Sequence, residues 1–137
     1  MKSIEYRNNL TDIKAEMLEG FFVGWPNPPS KQKHLEILQG SSHVWLAMDR
    51  ESEKVVGFIN AISDGILSAY IPLLEVVPEY QKQGIGKELV IHMLQSLEQF
   101  YMVDLICNVE LQEFYGSLGM HKATGALIRN YDRQNGE

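Results

Sequence analysis

Residues 76–90, VVPEYQKQGIGKELV, decide the fold, because they predict a strand end, a proline turn, a glycine loop and the start of a helix. Gly84 and Gly86 carry no Cβ, so the backbone of this loop can approach a ligand closely. N–H groups at a helix N-terminus point at whatever lies above it, and the helix dipole favours an anion there. The stretch therefore indicates a phosphate or pyrophosphate site, although a glycine pair before a helix is often only a turn.

Two well-known phosphate-binding loops fit this stretch poorly. A Walker A loop needs glycine at position 81 and Ser or Thr at position 88, where Gln81 and Glu88 stand. A dinucleotide-binding fingerprint needs a small residue at position 89, where the chain has Leu89. A nucleotide-binding protein is therefore the disfavoured interpretation.

Length and composition narrow the class of protein. The 137 residues predict a single domain, 1–137, with one core. A net charge of −6 without a Lys/Arg run argues against a nucleic-acid partner. The apolar runs are too short for a membrane span, and no signal peptide is visible, so we expect a cytoplasmic location. Cys107 stands alone, which excludes an internal disulfide, and the four histidines lack metal-ligand spacing, so no metal is expected.

The spacing of apolar residues along the chain predicts strands and helices that form one mixed sheet with helices on its faces, which is the α/β (α+β) class. Ser30 is expected to cap a helix that ends at Gly40, and Pro72 predicts a bulge or an unpaired edge in its strand. The predicted strands are 2–7, 43–49, 54–62, 66–77, 103–107 and 120–130. Four helices are predicted. The first begins at Thr11 or Asp12 and the second after Ser30, while the third runs from about 84 to 99 and the fourth from about 109 to 117.

Two motifs occur in a fixed order along the chain. The first is Gln81, two residues, Gly84, one residue and Gly86, after a strand that ends near Pro78. The second consists of Asn108, Phe114-Tyr115 and Leu118-Gly119-Met120. Together they resemble the central and C-terminal motifs of the GNAT family of acetyl-CoA-dependent N-acetyltransferases, and they cover roughly residues 70–122. Met120 and Leu111 replace a commoner aromatic residue and a commoner alanine, and both changes conserve apolar packing.

The resemblance implies a single-domain GNAT fold, with a sheet of six to seven strands splayed at its middle and about four flanking helices. It implies acetyl-CoA as cosubstrate, and family members are often homodimers. Within the family the chain is similar to plastid-type GNAT proteins and their bacterial relatives, which are associated with arylalkylamine or lysine acetylation. Segments that carry this finer similarity are Gly24-Trp25-Pro26, Ser63-Asp64, Val77-Pro78-Glu79-Tyr80-Gln81 and Phe114-Tyr115.

The same resemblance implies a set of coenzyme-binding positions. The loop amides would hold the pyrophosphate, and the pantetheine arm would lie along the strand before the loop. The amide of Leu74 would donate to the thioester oxygen as it becomes an oxyanion. Asn108 would bind the pantetheine, although a helix cap is an equally good explanation of that residue. The implied positions are Leu74, Glu75, Val76, Gln81, Lys82, Gln83, Gly84, Ile85, Gly86, Lys87, Asn108, Phe114 and Tyr115.

The chemistry implied by the family is attack of an amine on a thioester. Tyr115 occupies the family's general-acid position, where a phenol would protonate the leaving thiolate. The general base stays open between Glu75, Asp64 and direct binding of the neutral amine. Residues expected to line the acceptor site are Phe21, Phe22, Trp25 and Tyr70, although ordinary core and loop packing explains the aromatic residues of the first third equally well.

The sequence thus predicts an acetyltransferase that moves an acetyl group from acetyl-CoA to a primary amine, on either a small molecule or a protein. The alternative is a sensor or interaction module that binds acetyl-CoA without turnover. An acidic protein would attract cationic amines weakly.

Overall fold

The computed structural model describes residues 3–137, which form one five-stranded sheet with helices on both faces. The strands follow one another across the sheet in chain order, and each neighbouring pair is antiparallel except the last. Their bounds are β1 Ile4–Arg7, β2 His43–Asp49, β3 Lys54–Ser63, β4 Ser68–Val76 and β5 Met102–Asp104. The helices are α1 Lys31–Gln39, α2 Ile85–Ser96 and α3 Gln112–Gly116, and 3-10 turns lie at Ala15–Met17, Pro78–Tyr80, Val109–Leu111 and Tyr131–Arg133. The predicted mixed, mostly antiparallel class is confirmed.

Both faces of the sheet bury apolar side chains. Helix α2 covers one face because its apolar residues repeat at helical spacing. The core on that face includes Val56, Ile59, Ile71, Leu89, Val90 and Met93. Helix α1 and the chain before it cover the other face, where the core includes Leu18, Phe22, Leu35, Leu38, Leu46 and Phe58. Helix α1 begins as predicted, since Ser30 Oγ accepts the N–H of Lys33 at 3.1 Å.

Helix α2 lies unusually close to the sheet at Gly57. A Cβ at that position would lie 3.1 Å from Leu89 Cδ1 and 3.3 Å from Ile85 Cγ2. Gly57 pairs with Val76, the last residue of β4. The close approach therefore holds the first turn of α2 against the end of β4, on either side of the glycine loop.

Strand β4 carries the bulge that Pro72 predicts. Asn60 pairs with Leu73 and Ile62 pairs with Tyr70, so Ala61 faces two residues of β4 instead of one. The pairing of β4 with β5 stops at Tyr70 and Asp104. Beyond Tyr70, strand β4 keeps only β3 as a neighbour among the described residues, and the sheet opens there.

Four predicted elements differ in the structure. The sheet has five strands within residues 3–137, not six to seven, because residues 120–130 form no strand. Residue 2 of the predicted first strand lies outside the described residues, and that strand starts at Ile4.

The predicted helix from Thr11 or Asp12 is wrong: only a 3-10 turn forms there, since Asp12 takes a left-handed φ of 62° and Lys14 is extended. Ile13 and Leu18, whose spacing suits one face of a helix, are nevertheless buried. The last predicted helix is divided into a 3-10 turn and the short α3. Within residues 3–137 three α-helices replace the expected four, because the helix from Thr11 or Asp12 does not form.

Candidate active site

The glycine loop turns back on the end of β4. Gln81 Nε2 donates to the carbonyl of Val76 at 2.9 Å, which closes the loop onto the strand. Lys82 and Gly84 take left-handed φ values of 62° and 84°. A Cβ at Gly84 would meet no atom within 4 Å, so the space beside the loop is open.

The loop presents a row of uncommitted backbone donors. The first hydrogen bond of α2 runs from the N–H of Glu88 to the carbonyl of Gly84 at 3.1 Å. Within residues 3–137, none of the six N–H groups from Lys82 to Lys87 donates to a protein acceptor. Such a row at a helix N-terminus can bind a phosphate or diphosphate.

The edge of β4 beside the loop is open to a ligand. The N–H of Val77 donates to Val56 on β3, so the backbone groups of Leu74 and Val76 point to the other edge by strand alternation. The carbonyl of Val76 is taken by Gln81. Both backbone groups of Leu74 and the N–H of Val76 remain, in a geometry that suits an extended ligand lying as an extra strand.

Tyr115 lies on α3 and lines a cavity of about 560 Å³. Its side chain is 9% exposed, and its ring contacts that of Phe114 at 5.0 Å. Burial, followed by the nearby Cys107, raises the pKa of the Tyr115 phenol above its ordinary value of 10.0. The phenol is therefore protonated at neutral pH and can donate a proton. The cavity also contains Tyr70, so the structure brings together two predicted site residues that are far apart in sequence.

Asn108 has an exposed side chain that does not cap the following turn. Its carbonyl accepts the N–H of Leu111 at 3.0 Å, which accounts for the turn without the side chain. The capping explanation of this residue is therefore wrong, and its side-chain amide is available to a ligand.

The carboxylates of Glu75 and Asp64, the two candidate bases, both accept hydrogen bonds from backbone N–H groups. Glu75 accepts the N–H of Phe22 at 2.7 Å and that of Val23 at 3.2 Å, and so ties the loop before α1 to the central strand. Asp64 accepts three N–H groups of the β3–β4 turn, from Ile66, Leu67 and Ser68. These hydrogen bonds lower the pKa of Asp64, so it is a weak proton acceptor in this geometry.

The predicted acceptor aromatics lie apart from the Tyr115 cavity. Phe22 is 5% exposed and packs in the core, and Phe21 is half-buried beside it. Both rings contact the imidazole of His34, with centroid distances of 5.1 Å for Phe21 and 4.8 Å for Phe22. Trp25 is 37% exposed and contacts Phe22. Of these predicted residues only Tyr70 lines the cavity.

His34 is a buried residue that the sequence did not single out. Its side chain is 1% exposed, and its Nε2 atom has no hydrogen-bond partner among residues 3–137. Burial lowers the pKa of His34 from 6.5 to about 4. The imidazole is therefore neutral at pH 7 and acts as part of the aromatic core.

Acidification is expected to destabilise the fold through His34. Between pH 6.5 and about 4 the unfolded chain takes up a proton that the folded chain rejects, so stability falls as the pH falls. From pH 7 to pH 5 the loss from this group is about 2 kcal/mol. Urea unfolding at both pH values should show a smaller loss for His34→Leu than for the wild type. His121→Leu, at an exposed histidine, should keep the wild-type loss; equal losses in all three proteins would contradict this role of His34.

Glu75→Gln is expected to lower the free energy of unfolding by about 1–3 kcal/mol. The substitution removes the charge from the two hydrogen bonds to Phe22 and Val23 and turns an amide N–H₂ toward one of these donors. Urea unfolding measures the loss, and Glu79→Gln at an exposed position provides the control. Unchanged stability of Glu75→Gln would show that this carboxylate does not anchor the loop.

Two features are absent from residues 3–137. No helix in that range has the length and apolar content that a bilayer crossing requires. No group of three or more His, Cys, Asp or Glu in the range is arranged to hold a metal ion.

The glycine loop and its N–H groups thus lie beside the open edge of β4 in a five-stranded sheet. The family profile described as an acetyltransferase (GNAT) domain matches residues 9–130. The chain therefore belongs to the GNAT acetyltransferase family.

Known proteins similar to this chain carry related names. An uncharacterized N-acetyltransferase, ycf52, of Pyropia yezoensis is 29% identical over 103 residues, which cover 73% of this chain and 59% of that protein. The chloroplastic GCN5-related N-acetyltransferase 1 of Arabidopsis thaliana is 24% identical over 121 residues, 87% of this chain and 59% of that protein. The chain thus spans less than two thirds of the length of these curated relatives.

A crystal structure of a candidate acetyltransferase from Deinococcus radiodurans R1 has a TM-score of 0.93 and 41% identity with this chain. The match covers 96% of this chain and 92% of that one. Both the family and the plastid-type similarity expected from the motifs are confirmed.

Proposed function

We propose that the protein transfers the acetyl group of acetyl-CoA to a primary amine by direct attack. The observation that carries the proposal is the row of six uncommitted N–H groups from Lys82 to Lys87, directly beside the open edge of β4. The row would hold the coenzyme pyrophosphate, and Leu74 and Val76 would bind the pantetheine chain as an added strand. Asn108 and Phe114 would contact the same chain near α3. The thioester would then lie between β4 and Tyr115.

In the proposed reaction the amine nitrogen attacks the thioester carbon. The carbonyl oxygen becomes an oxyanion, which the N–H of Leu74 stabilises from the open strand edge. The C–S bond then breaks, and the thiolate takes a proton from Tyr115. The tyrosinate recovers that proton from the ammonium nitrogen through water or solvent, so the phenol is restored. A tyrosine whose pKa is raised by burial holds its proton until the thiolate forms.

The amine enters as the neutral base in this proposal. A free alkylamine has a pKa of about 10, so only a small fraction is neutral at pH 7. Glu75 and Asp64 are both engaged by backbone N–H groups, which argues against either as the proton acceptor. The rate should therefore rise with pH as the neutral fraction of the amine rises.

The acceptor class in this proposal is a primary amine, carried by a small molecule or by a protein lysine. Tyr70 and Asp104 line the cavity beside Tyr115 and offer a phenol and a carboxylate to a cationic acceptor. The net charge of −6 favours the approach of such an acceptor over that of an anion. The Arabidopsis relative is named a chloroplastic protein. For this chain we propose a cytoplasmic location.

A second candidate is an acetyl-CoA sensor without turnover. It is favoured by one observation, that both candidate base carboxylates already bind backbone N–H groups. In a sensor the loop and strand edge would bind coenzyme, while the cavity would exclude or fail to orient an amine.

One assay separates the candidates. The protein is supplied with acetyl-CoA and a panel that contains an arylalkylamine, free lysine and a lysine-containing peptide, and free thiol is followed by a chromogenic disulfide reagent. Cys107 is the single cysteine and adds a constant background. Amine-dependent thiol release supports the enzyme. Tight coenzyme A binding without turnover on any amine supports the sensor, and preference for ATP over coenzyme A contradicts both.

A further inference from the structure

Cys107, the single cysteine of the chain, lines the Tyr115 cavity. Its side chain is half-buried and packs against the apolar core that includes Tyr115. A thiol is a strong nucleophile once it loses its proton, and the reaction proposed above gives this one no role. The cavity therefore contains a reactive group that acetyl transfer does not use.

The Tyr115 phenol indicates that a ligand binds in this cavity. The side chain is 9% exposed, and its hydroxyl makes no hydrogen bond within residues 3–137. Buried hydroxyl groups normally have a hydrogen-bond partner, so a bound molecule is expected to supply it. Burial and then the charge of the nearby Cys107 raise the pKa of Tyr115, so the two side chains lie within electrostatic reach. A ligand that contacts the phenol would lie beside the thiol.

The strand register places Cys107 across the opening of the sheet from the proposed thioester position. Strands β4 and β5 run parallel, and their last pair is Tyr70 with Asp104. The same register continued by three residues sets position 107 opposite position 73, in the region where the sheet opens. Leu74, the proposed donor to the thioester oxygen, is the next residue of β4. The sulfur of a bound coenzyme A would therefore lie between Leu74 and Cys107.

We propose that Cys107 is a modification site, which forms a mixed disulfide with coenzyme A when a disulfide of the coenzyme enters the same cavity. This inference rests on the coenzyme site of the proposed function. The loop from Lys82 to Lys87 would hold the diphosphate of one coenzyme half and present its sulfur to the thiol. Binding makes the exchange a step within one complex, in which effective concentrations are on the order of millimolar.

The step is a thiol–disulfide exchange that needs no other oxidant. The Cys107 thiolate attacks the sulfur of the bound half, a new S–S bond forms, and the S–S bond of the coenzyme disulfide breaks. The second half leaves as a thiolate and takes a proton from solvent. Cys107 is thus oxidised, and one coenzyme half is reduced to the free thiol. The attached half fills the coenzyme site, so acetyl-CoA is excluded until a reducing thiol releases it.

The rate of adduct formation, followed by intact-mass spectrometry, tests this proposal. Folded protein is treated with about 10 μM coenzyme A disulfide or about 10 μM pantethine, the corresponding disulfide without phosphate groups. We expect one coenzyme half per chain, attached at least about 10-fold faster than pantetheine. The net charge of −6 opposes the approach of the more anionic reagent, so this preference requires a specific site. In concentrated urea the preference should disappear.

Two glycine variants provide a matched pair for the test. Gly84 and Gly65 have left-handed φ values of 84° and 79°, and a Cβ at either position meets no atom within 4 Å. Gly84→Asp should remove the preference for coenzyme A disulfide, because its carboxylate lies beside the loop donors. Gly65→Asp, in the β3–β4 turn, should keep the preference. Cys107→Ser should form no adduct, since the chain has no other cysteine.

Three outcomes overturn the mixed disulfide. They are equal rates with the two reagents on folded wild type, no adduct on folded protein, and a purified adduct that binds coenzyme A with unchanged affinity in isothermal titration. We expect the adduct to bind no coenzyme A until dithiothreitol restores the thiol. Titration of the reduced protein separates the two proposals. Coenzyme A binding without a preference in the exchange rate contradicts the role of Cys107 alone, whereas absence of coenzyme A binding contradicts the proposed function as well.

Discussion

Gly84→Asp is expected to weaken coenzyme A binding at least about 100-fold. The new carboxylate would stand beside the six donors from Lys82 to Lys87, where we place the coenzyme pyrophosphate. Two like charges about 5 Å apart near a protein surface repel by about 3 kcal/mol, which corresponds to a factor of more than 100 in affinity. A side chain at this position meets no protein atom within 4 Å of its Cβ, and Asp tolerates the left-handed φ of 84° better than most residues. Isothermal titration with coenzyme A measures the loss.

The matched control is Gly84→Asn, which has the same size and backbone tolerance but no charge. It should lose about 10-fold or less, because only steric crowding and a small conformational cost remain. Pantetheine, which lacks the diphosphate, should bind the Asp and Asn variants equally. Equal coenzyme A affinities for the two variants would show that the loop holds no phosphate group.

The glycine loop was predictable because its signals are local. Fifteen consecutive residues contain the strand end, Pro78, two glycines and the first residues of α2. Each of these signals depends on neighbouring residues in the sequence. Ser30 as a helix cap and the bulge at Pro72 were predictable for the same reason. The signal for each of these features lies in the residue itself or in its sequence neighbours.

The helix predicted to begin at Thr11 or Asp12 does not form, because apolar side chains can be buried without a helix. Ile13, Met17 and Leu18 carry the spacing of an apolar helix face, yet the chain reaches the same core through a 3-10 turn. Tertiary contacts override such short patterns, since a single helical turn contributes little stability of its own.

The arrangement of the candidate site also depends on contacts between residues that are distant in sequence. The hydrogen bonds from Phe22 and Val23 to Glu75 join residues more than fifty positions apart, and no spacing rule predicts them. Glu75 lies on the face of β4 opposite Leu74, because successive side chains of a strand point to opposite faces. The meeting of Tyr70 and Tyr115 in one cavity followed only from the family resemblance and the sheet topology.

The strand predicted at 120–130 fails for a different reason. A strand requires a hydrogen-bonded neighbour as well as suitable residues. Within residues 3–137 no strand pairs with this segment, and it has no regular secondary structure. The pattern of residues within the segment could not predict that absence, because pairing depends on residues that are distant in sequence.

Tyr115→Phe is expected to lower kcat for acetyl transfer by about 10²–10³-fold, the usual contribution of a general acid. The KM for acetyl-CoA should change little, because the proposed coenzyme contacts lie mainly on the loop and on β4. Fold stability should also be kept, since the hydroxyl of Tyr115 makes no hydrogen bond within residues 3–137 and the ring keeps its packing. Steady-state kinetics with the best amine of the panel measure both constants.

The pH profile distinguishes the acid role from simple packing. Because burial raises the pKa of Tyr115 above 10.0, the phenol stays protonated over the range in which the amine loses its proton. The wild-type rate should therefore rise with pH without an alkaline fall below about pH 10. Tyr70→Phe is the matched control, since it removes a hydroxyl from the same cavity, and it should alter the KM of the amine more than kcat. If Tyr115→Phe and Tyr70→Phe reduce kcat equally and modestly, the phenol at 115 does not protonate the leaving thiolate, and water must do so.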